Sequence, residues 1–289
     1  MERTDFSARF SSGLHLLDGA TGSNLTLAGM PRGVCNEQWI LENPAALIAL
    51  QKAYAEAGSE IVYAPTFSAN RISLRRHGLE NEVRRLNREL PRLTREAVGD
   101  GVLVAGDMTT TGNPVDMEDG DAYQALIDAY QEQAEALIEG GVDLFAVETM
   151  MGVTECMAAV EAIRAVCDLP ILVTLSLQAD GKCYFDGSGI EAAEAMEALG
   201  ADAVGVNCSA GPDQLESVIR GMKDACSLPI IAKPNAGMPQ ILETGEAVYS
   251  MGAEAFVRHM QALVGAGANI LGGCCGTTPA YIAALKTLL

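Results

Sequence analysis

Eight short apolar runs, each followed by a stretch whose apolar residues recur at helical spacing, divide this chain of 289 residues almost from end to end. The runs are 14–20, 60–66, 102–108, 144–149, 170–177, 203–208, 229–235 and 269–274. The amphipathic stretches are 44–57, 80–98, 121–139, 154–166, 190–199, 213–225, 253–265 and 279–289. Continuous rather than alternating hydrophobicity marks strands buried on both faces, the condition of parallel strands covered by helices. Eight such units in series predict a single (β/α)8 TIM barrel, with a doubly wound open sheet as the weaker rival. No linker or low-complexity tract interrupts the series, so residues 1–289 are expected to form one domain.

Punctuation supports these boundaries. Thr278-Pro279 offers a capping hydroxyl and a proline at the first helical position, Gly211-Pro212 does similar work, and Gly140-Gly141 and Gly265 close helices. Pro91 lies inside the 80–98 stretch, where proline removes a helical hydrogen bond; a kink or two shorter helices is expected. The longest loops, 21–43, 109–120, 178–189 and 236–252, all follow strands and so belong to the face where barrel active sites form.

Charge excludes some partners. A formal net charge of −19 would repel nucleic acid phosphates and anionic membrane surfaces. No apolar run reaches the roughly 18 residues of a membrane span, and the polar start Met1-Glu2-Arg3-Thr4-Asp5 has no leader character, so the expected compartment is the cytoplasm. The eight cysteines read there as reduced thiols. The charges are also unevenly spread: eight of the 19 Lys and Arg fall between Arg71 and Arg95, whereas Glu96 to Glu161 holds fifteen acids and no Lys or Arg. Solvated helix faces or a docking surface for a protein partner would each produce this pattern.

The chemistry concentrates in Gly272-Gly273-Cys274-Cys275-Gly276-Thr277-Thr278-Pro279. Glycines on both sides let the backbone turn so that two sulfurs aim at one spot. Adjacent cysteines pair poorly with each other, because the small ring opposes disulfide geometry. Cys208, at the end of the sixth run, sits two strands away in a closed barrel and supplies a third sulfur. Three thiolates with one open position make a catalytic zinc layout; reactive metal-free thiols are the alternative. The remaining cysteines (35, 156, 167, 183 and 226) lack this setting and read as packing. The three histidines, His15, His77 and His259, are not placed for a histidine-based zinc hydrolase.

The cysteine motif, together with Asp18-Gly19-Ala20-Thr21-Gly22, Thr66-Phe67-Ser68-Ala69-Asn70-Arg71, Glu148-Thr149 and Pro234-Asn235-Ala236-Gly237, resembles the zinc-dependent homocysteine S-methyltransferase family. Within it the chain looks most like the homocysteine-binding module of cobalamin-dependent methionine synthase. The resemblance implies Zn2+ on Cys208, Cys274 and Cys275, and homocysteine as the methyl acceptor. It also implies that Asp18 and Glu148 help to bind homocysteine, in accord with the pairing of carboxylates and ammonium groups. Asn235 ends the seventh run at the same mouth, the amides of Gly19, Thr21 and Gly22 suit a substrate carboxylate, and Asp107 is a supporting carboxylate or a cap. The betaine-using branch carries an aromatic residue where Thr149 stands here, which disfavours betaine.

The expected donor is methylcobalamin carried by a separate corrinoid protein, because no corrinoid, dinucleotide or P-loop motif occurs and the eighth unit runs to Leu289. The uneven charge would then guide that protein in a salt-sensitive way. S-methylmethionine as donor, another small thiol as acceptor, and a thiol sensor without turnover are the competing readings.

Overall fold

The computed structural model describes residues 1–242 and 247–289. Eight parallel strands follow one another around a sheet: His15–Leu16, Ile61–Tyr63, Leu103–Thr109, Leu144–Met150, Ile171–Leu175, Ala203–Asn207, Ile230–Lys233 and Ala268–Leu271. The first strand pairs with the eighth, and a parallel bridge from Leu17 to Ile61 joins first to second, so the sheet closes into the expected (β/α)8 barrel. Closure tolerates no side chain at Gly205, where a Cβ would lie 2.0 Å from the Ile231 carbonyl oxygen.

Inside the barrel, Leu17, Ile61, Tyr63, Ala105, Leu144, Leu172, Ile231 and Ile270 pack together with Phe6 and Phe10. Those two phenylalanines belong to a helix, Arg3–Phe10, that the sequence reading did not anticipate. Their rings stack at 4.5 Å and are fully buried, while Arg3 bonds to Asp202 and the Gly200 carbonyl just before the sixth strand. The helix therefore plugs the end of the barrel opposite the strand C-termini.

Most outer helices fall where expected, with Pro44–Ala57 and Ala253–Gly265 at the expected bounds. Two expectations need correction and a third is narrowed. Of the alternatives at Pro91, two shorter helices do not occur: one helix, Val83–Val98, runs through it. Proline frees the Asn87 carbonyl, and Gly140 of the neighbouring helix Gly120–Gly140 lies against that oxygen, where a Cβ would come within 2.7 Å. Thr278 makes no side-chain capping bond. Thr277 is the hydroxyl in use, accepting from the Ala20 amide at 3.2 Å and donating to the Cys274 carbonyl at 2.8 Å.

The narrowing concerns charge. Part of the basic segment meets part of the acidic one: Arg71 pairs with Glu132, Arg84 with Glu135 and Glu139, Arg88 with Glu139, and Arg95 with Asp143. The asymmetry read from the sequence is thus in part an interface between neighbouring segments.

The loops at the strand C-termini are structured. Loop 21–43 holds two short helices, Gly22–Leu27 and Asn36–Glu42, and loop 178–189 is tied by bridges from Leu177 to Cys183 and from Lys182 to Ser188. In loop 236–252, Gln240–Ile241 pairs antiparallel with Ala247–Val248; residues 243–246 of that loop lie outside the described residues. Among the described residues, no helix is long and apolar enough to cross a membrane.

Candidate active site

Cys208 follows the sixth strand directly, and Cys274-Cys275 lie just beyond the eighth, so the seventh strand separates them as anticipated. The three sulfurs lie within 4.8 Å of one another, with Cys208 and Cys275 3.5 Å apart. Backbone bonds fix them: the Cys274 amide donates to the Pro234 carbonyl at 2.7 Å, and the Cys275 carbonyl accepts from the Ala236 amide at 2.9 Å. The glycines are required by this turn. A Cβ on Gly273 would come within 2.4 Å of the Thr277 side chain, and Gly276 has φ +82° with the Tyr249 ring packed on it.

A tetrahedral zinc with thiolates at about 2.3 Å holds its sulfurs roughly 3.8 Å apart, so this cluster fits such an ion in both chemistry and spacing. Without a cation the thiols share protons unequally. Hydrogen bonds from Cys208 and Cys274 pull Cys275 down to about 3, and the same contacts raise Cys274 well above the usual thiol range. Against a lowering hydrogen bond with Cys274, Cys208 is likewise pushed up, to about 12, by its contact with Cys275 and by burial, so a bound cation would be what brings the second and third sulfurs to the thiolate form.

Beside the sulfurs opens a cavity of about 210 Å³. Asp18, Gly19, Thr21, Gly22, Glu148, Cys208, Cys274 and Cys275 all line it, together with Asp107. Asn235 does not: it is buried behind the wall, its amide bonded to the Ala210 carbonyl at 3.0 Å and its Oδ1 without a hydrogen-bond partner.

The residue missing from the sequence reading is Lys233. Its Nζ lies 3.4 Å from Asp18 Oδ1 and 3.4 Å from Glu148 Oε2, and 4.5 Å over the Tyr63 ring. The available signal was a lysine closing an otherwise wholly apolar strand, since a lysine is rarely buried without partners. Burial alone would strip its proton, but Glu148 and Asp18 outweigh that and hold the ammonium well above its ordinary range. For both acids burial is the larger influence and raises the carboxyl, with Lys233 opposing. Asp107 is raised further, by burial and then by Glu148, and its Oδ1 has no hydrogen-bond partner. Lys233 thus stands between two acids, with Asp107 as a third acidic side chain in the same cavity wall.

Of the other cysteines, Cys35 donates to Glu37 Oε2 at 3.3 Å, and Glu37 Oε1 in turn accepts the Ser68 amide at 2.8 Å. This bonded pair braces two mouth loops against each other, with Glu37 in the cavity wall.

Comparison with known proteins places the chain among relatives. The chain is 30% identical over 299 residues to a methionine synthase of Mycobacterium tuberculosis (strain ATCC 25618 / H37Rv), with 96% of this chain and 25% of the relative aligned. It is 28% identical over 304 residues to a methionine synthase of Mycobacterium leprae (strain TN), with 96% and 24% aligned. The chain therefore spans about a quarter of the length of these curated relatives. The crystal structure of the homocysteine methyltransferase MmuM from Escherichia coli in its metallated form superposes with a TM-score of 0.77 at 23% identity, covering 96% of this chain and 97% of that one, and so shares the fold. A family model described as homocysteine S-methyltransferase matches residues 15–289, and the chain belongs to that family.

Proposed function

We propose that this chain is one homocysteine-binding barrel domain that methylates the thiol of homocysteine to give methionine, using zinc on Cys208, Cys274 and Cys275. The observation that carries the reading is the three-sulfur cluster lining the same cavity as the buried acids Asp18, Asp107 and Glu148. Zinc there would supply a positive centre beside which an amino-acid thiol exists as the nucleophilic thiolate near neutral pH.

The remaining work falls to the chain. Asp18 and Glu148, kept in place by Lys233, together with Asp107, face the cavity as acceptors for the substrate ammonium. Asp107 Oδ1 is free to take it directly. Gly19, Thr21 and Gly22 line the same space and suit the substrate carboxylate. Orientation matters because displacement at a methyl carbon needs nucleophile and leaving group in line.

For the donor, the reading is methylcobalamin brought by a separate corrinoid protein. The support is apolar rather than electrostatic. Each of the four long mouth loops exposes a large hydrophobic residue: Leu27 at 78%, Met117 at 48%, Tyr184 at 53% and Ile241 at 68%. A rim of this kind around the opening suits a protein that must seat a bulky carrier over it. A reducing compartment, the cytoplasm, suits a site of three thiols in a chain with eight free cysteines. The test is turnover of homocysteine with a panel of methyl donors; equal inactivity with every donor would refute the assignment.

A further inference from the structure

Asn207 takes no part in the site as described, yet both polar ends of its side chain are committed there. It ends the sixth strand next to Cys208 and is fully buried. Its Oδ1 accepts the Thr149 amide at 2.8 Å, and its Nδ2 donates to Thr149 Oγ1 at 2.7 Å. The same Nδ2 lies 3.3 Å from Glu148 Oε2 and 3.9 Å from Cys274 Sγ.

Thr149 is held in an unfavourable backbone. Its φ is 58°, and with Cys208 at 49° it is one of only two non-glycine residues in the left-handed region among the described residues. A β-branched residue avoids that region because its side chain crowds the backbone, and it persists only where the surroundings over-determine it. The two-point clamp from Asn207 supplies that determination. Immediately after Glu148, within the strand Leu144–Met150, a left-handed residue accompanies the register shift between Val147 and Met150 and so sets where the Glu148 carboxylate lies. One buried amide thereby connects the sulfur end of the cavity to its acidic end.

The geometry points to Asn207 as a positioning residue: through the left-handed Thr149 turn it fixes Glu148 relative to the Cys274 sulfur, and so sets the length of amino-acid thiol that the cavity accepts. This rests on the homocysteine reading above. Cysteine, one methylene shorter, is the natural probe, since one methylene in a shaped site is worth about 10–200-fold in discrimination.

The experiment compares zinc-loaded wild type, Asn207→Ala, and Asn207→Ala combined with Thr149→Gly, by calorimetric titration with homocysteine and with cysteine. Asn207→Ala is expected to weaken homocysteine at least about tenfold and to narrow the homocysteine-to-cysteine ratio. Adding Thr149→Gly, which occupies the left-handed region without a clamp, is expected to recover much of the loss. Homocysteine affinity within about twofold of wild type would overturn the proposal, as would an equal loss for both thiols that glycine does not relieve. If the alanine variant does not fold, Asn207→Asp keeps the shape and the Oδ1 acceptor, removes the Nδ2 donor, and carries the same comparison. A wild-type protein that binds neither thiol would remove the homocysteine reading and this proposal together, whereas wild-type binding with unaffected variants would remove this proposal alone.

Discussion

Replacing Lys233 with methionine keeps a long unbranched side chain and deletes the charge that holds the acidic wall together. In the native protein Nζ sits 3.4 Å from both Asp18 and Glu148, and all three residues are almost completely buried. Removing one partner from a buried ion pair costs about 3–5 kcal/mol, because the surviving charges lose their compensation. With roughly 2–4 °C of melting temperature per kcal/mol in a chain of this size, the expected fall is about 6–20 °C.

The pH dependence has a definite sign. Burial already raises the Asp18 and Glu148 carboxyls above their unfolded values against the pull of Lys233, and without the lysine they rise further. A carboxyl raised on folding contributes stability that is present below its unfolded value and lost as pH rises through the folded value. The deficit of Lys233→Met relative to wild type should therefore be largest near about pH 8 and narrow toward about pH 5. Thermal melts of both proteins across that range are the assay. A deficit below about 2 °C throughout, or one that widens on acidification, would refute the counter-ion argument.

Reduced protein should carry about one zinc per chain, and Cys208→Ser, Cys274→Ser and Cys275→Ser should each deplete it while the barrel stays folded; full retention in all three would remove the metal assignment. Glu148→Gln should leave zinc in place and weaken homocysteine by ~1.5–3 kcal/mol, and an unchanged affinity would make Glu148 purely structural. Homocysteine alone should yield no methionine, with methylcobalamin, free or protein-borne, restoring it; faster turnover with S-methylmethionine would reassign the donor. Leu27→Asp combined with Ile241→Asp should slow turnover with a protein-borne corrinoid and spare free methylcobalamin, so equal slowing of both would argue against docking on the rim.

The sequence alone determined the eight-fold series of strands and helices, because a strand covered on both faces must be apolar throughout and a covering helix on one face only. It also singled out the three cysteines, because glycines around adjacent thiols allow the backbone turn that aims two sulfurs at one spot. What it left open were relations between distant segments. Lys233 and Glu148 belong to the seventh and fourth strands and Asp18 follows the first, and only closure of the barrel puts an ammonium between two carboxylates. Asn207 stood in plain view beside Cys208, but its role depends on the Thr149 backbone, a left-handed irregularity within the fourth strand with no signature in residue type. Phe6 and Phe10 sit among polar neighbours and became core only because a barrel has an open end to fill. Part of the block of basic residues meets part of the following block of acids for the same kind of reason: linear order records which charges exist, and three-dimensional packing decides which of them meet.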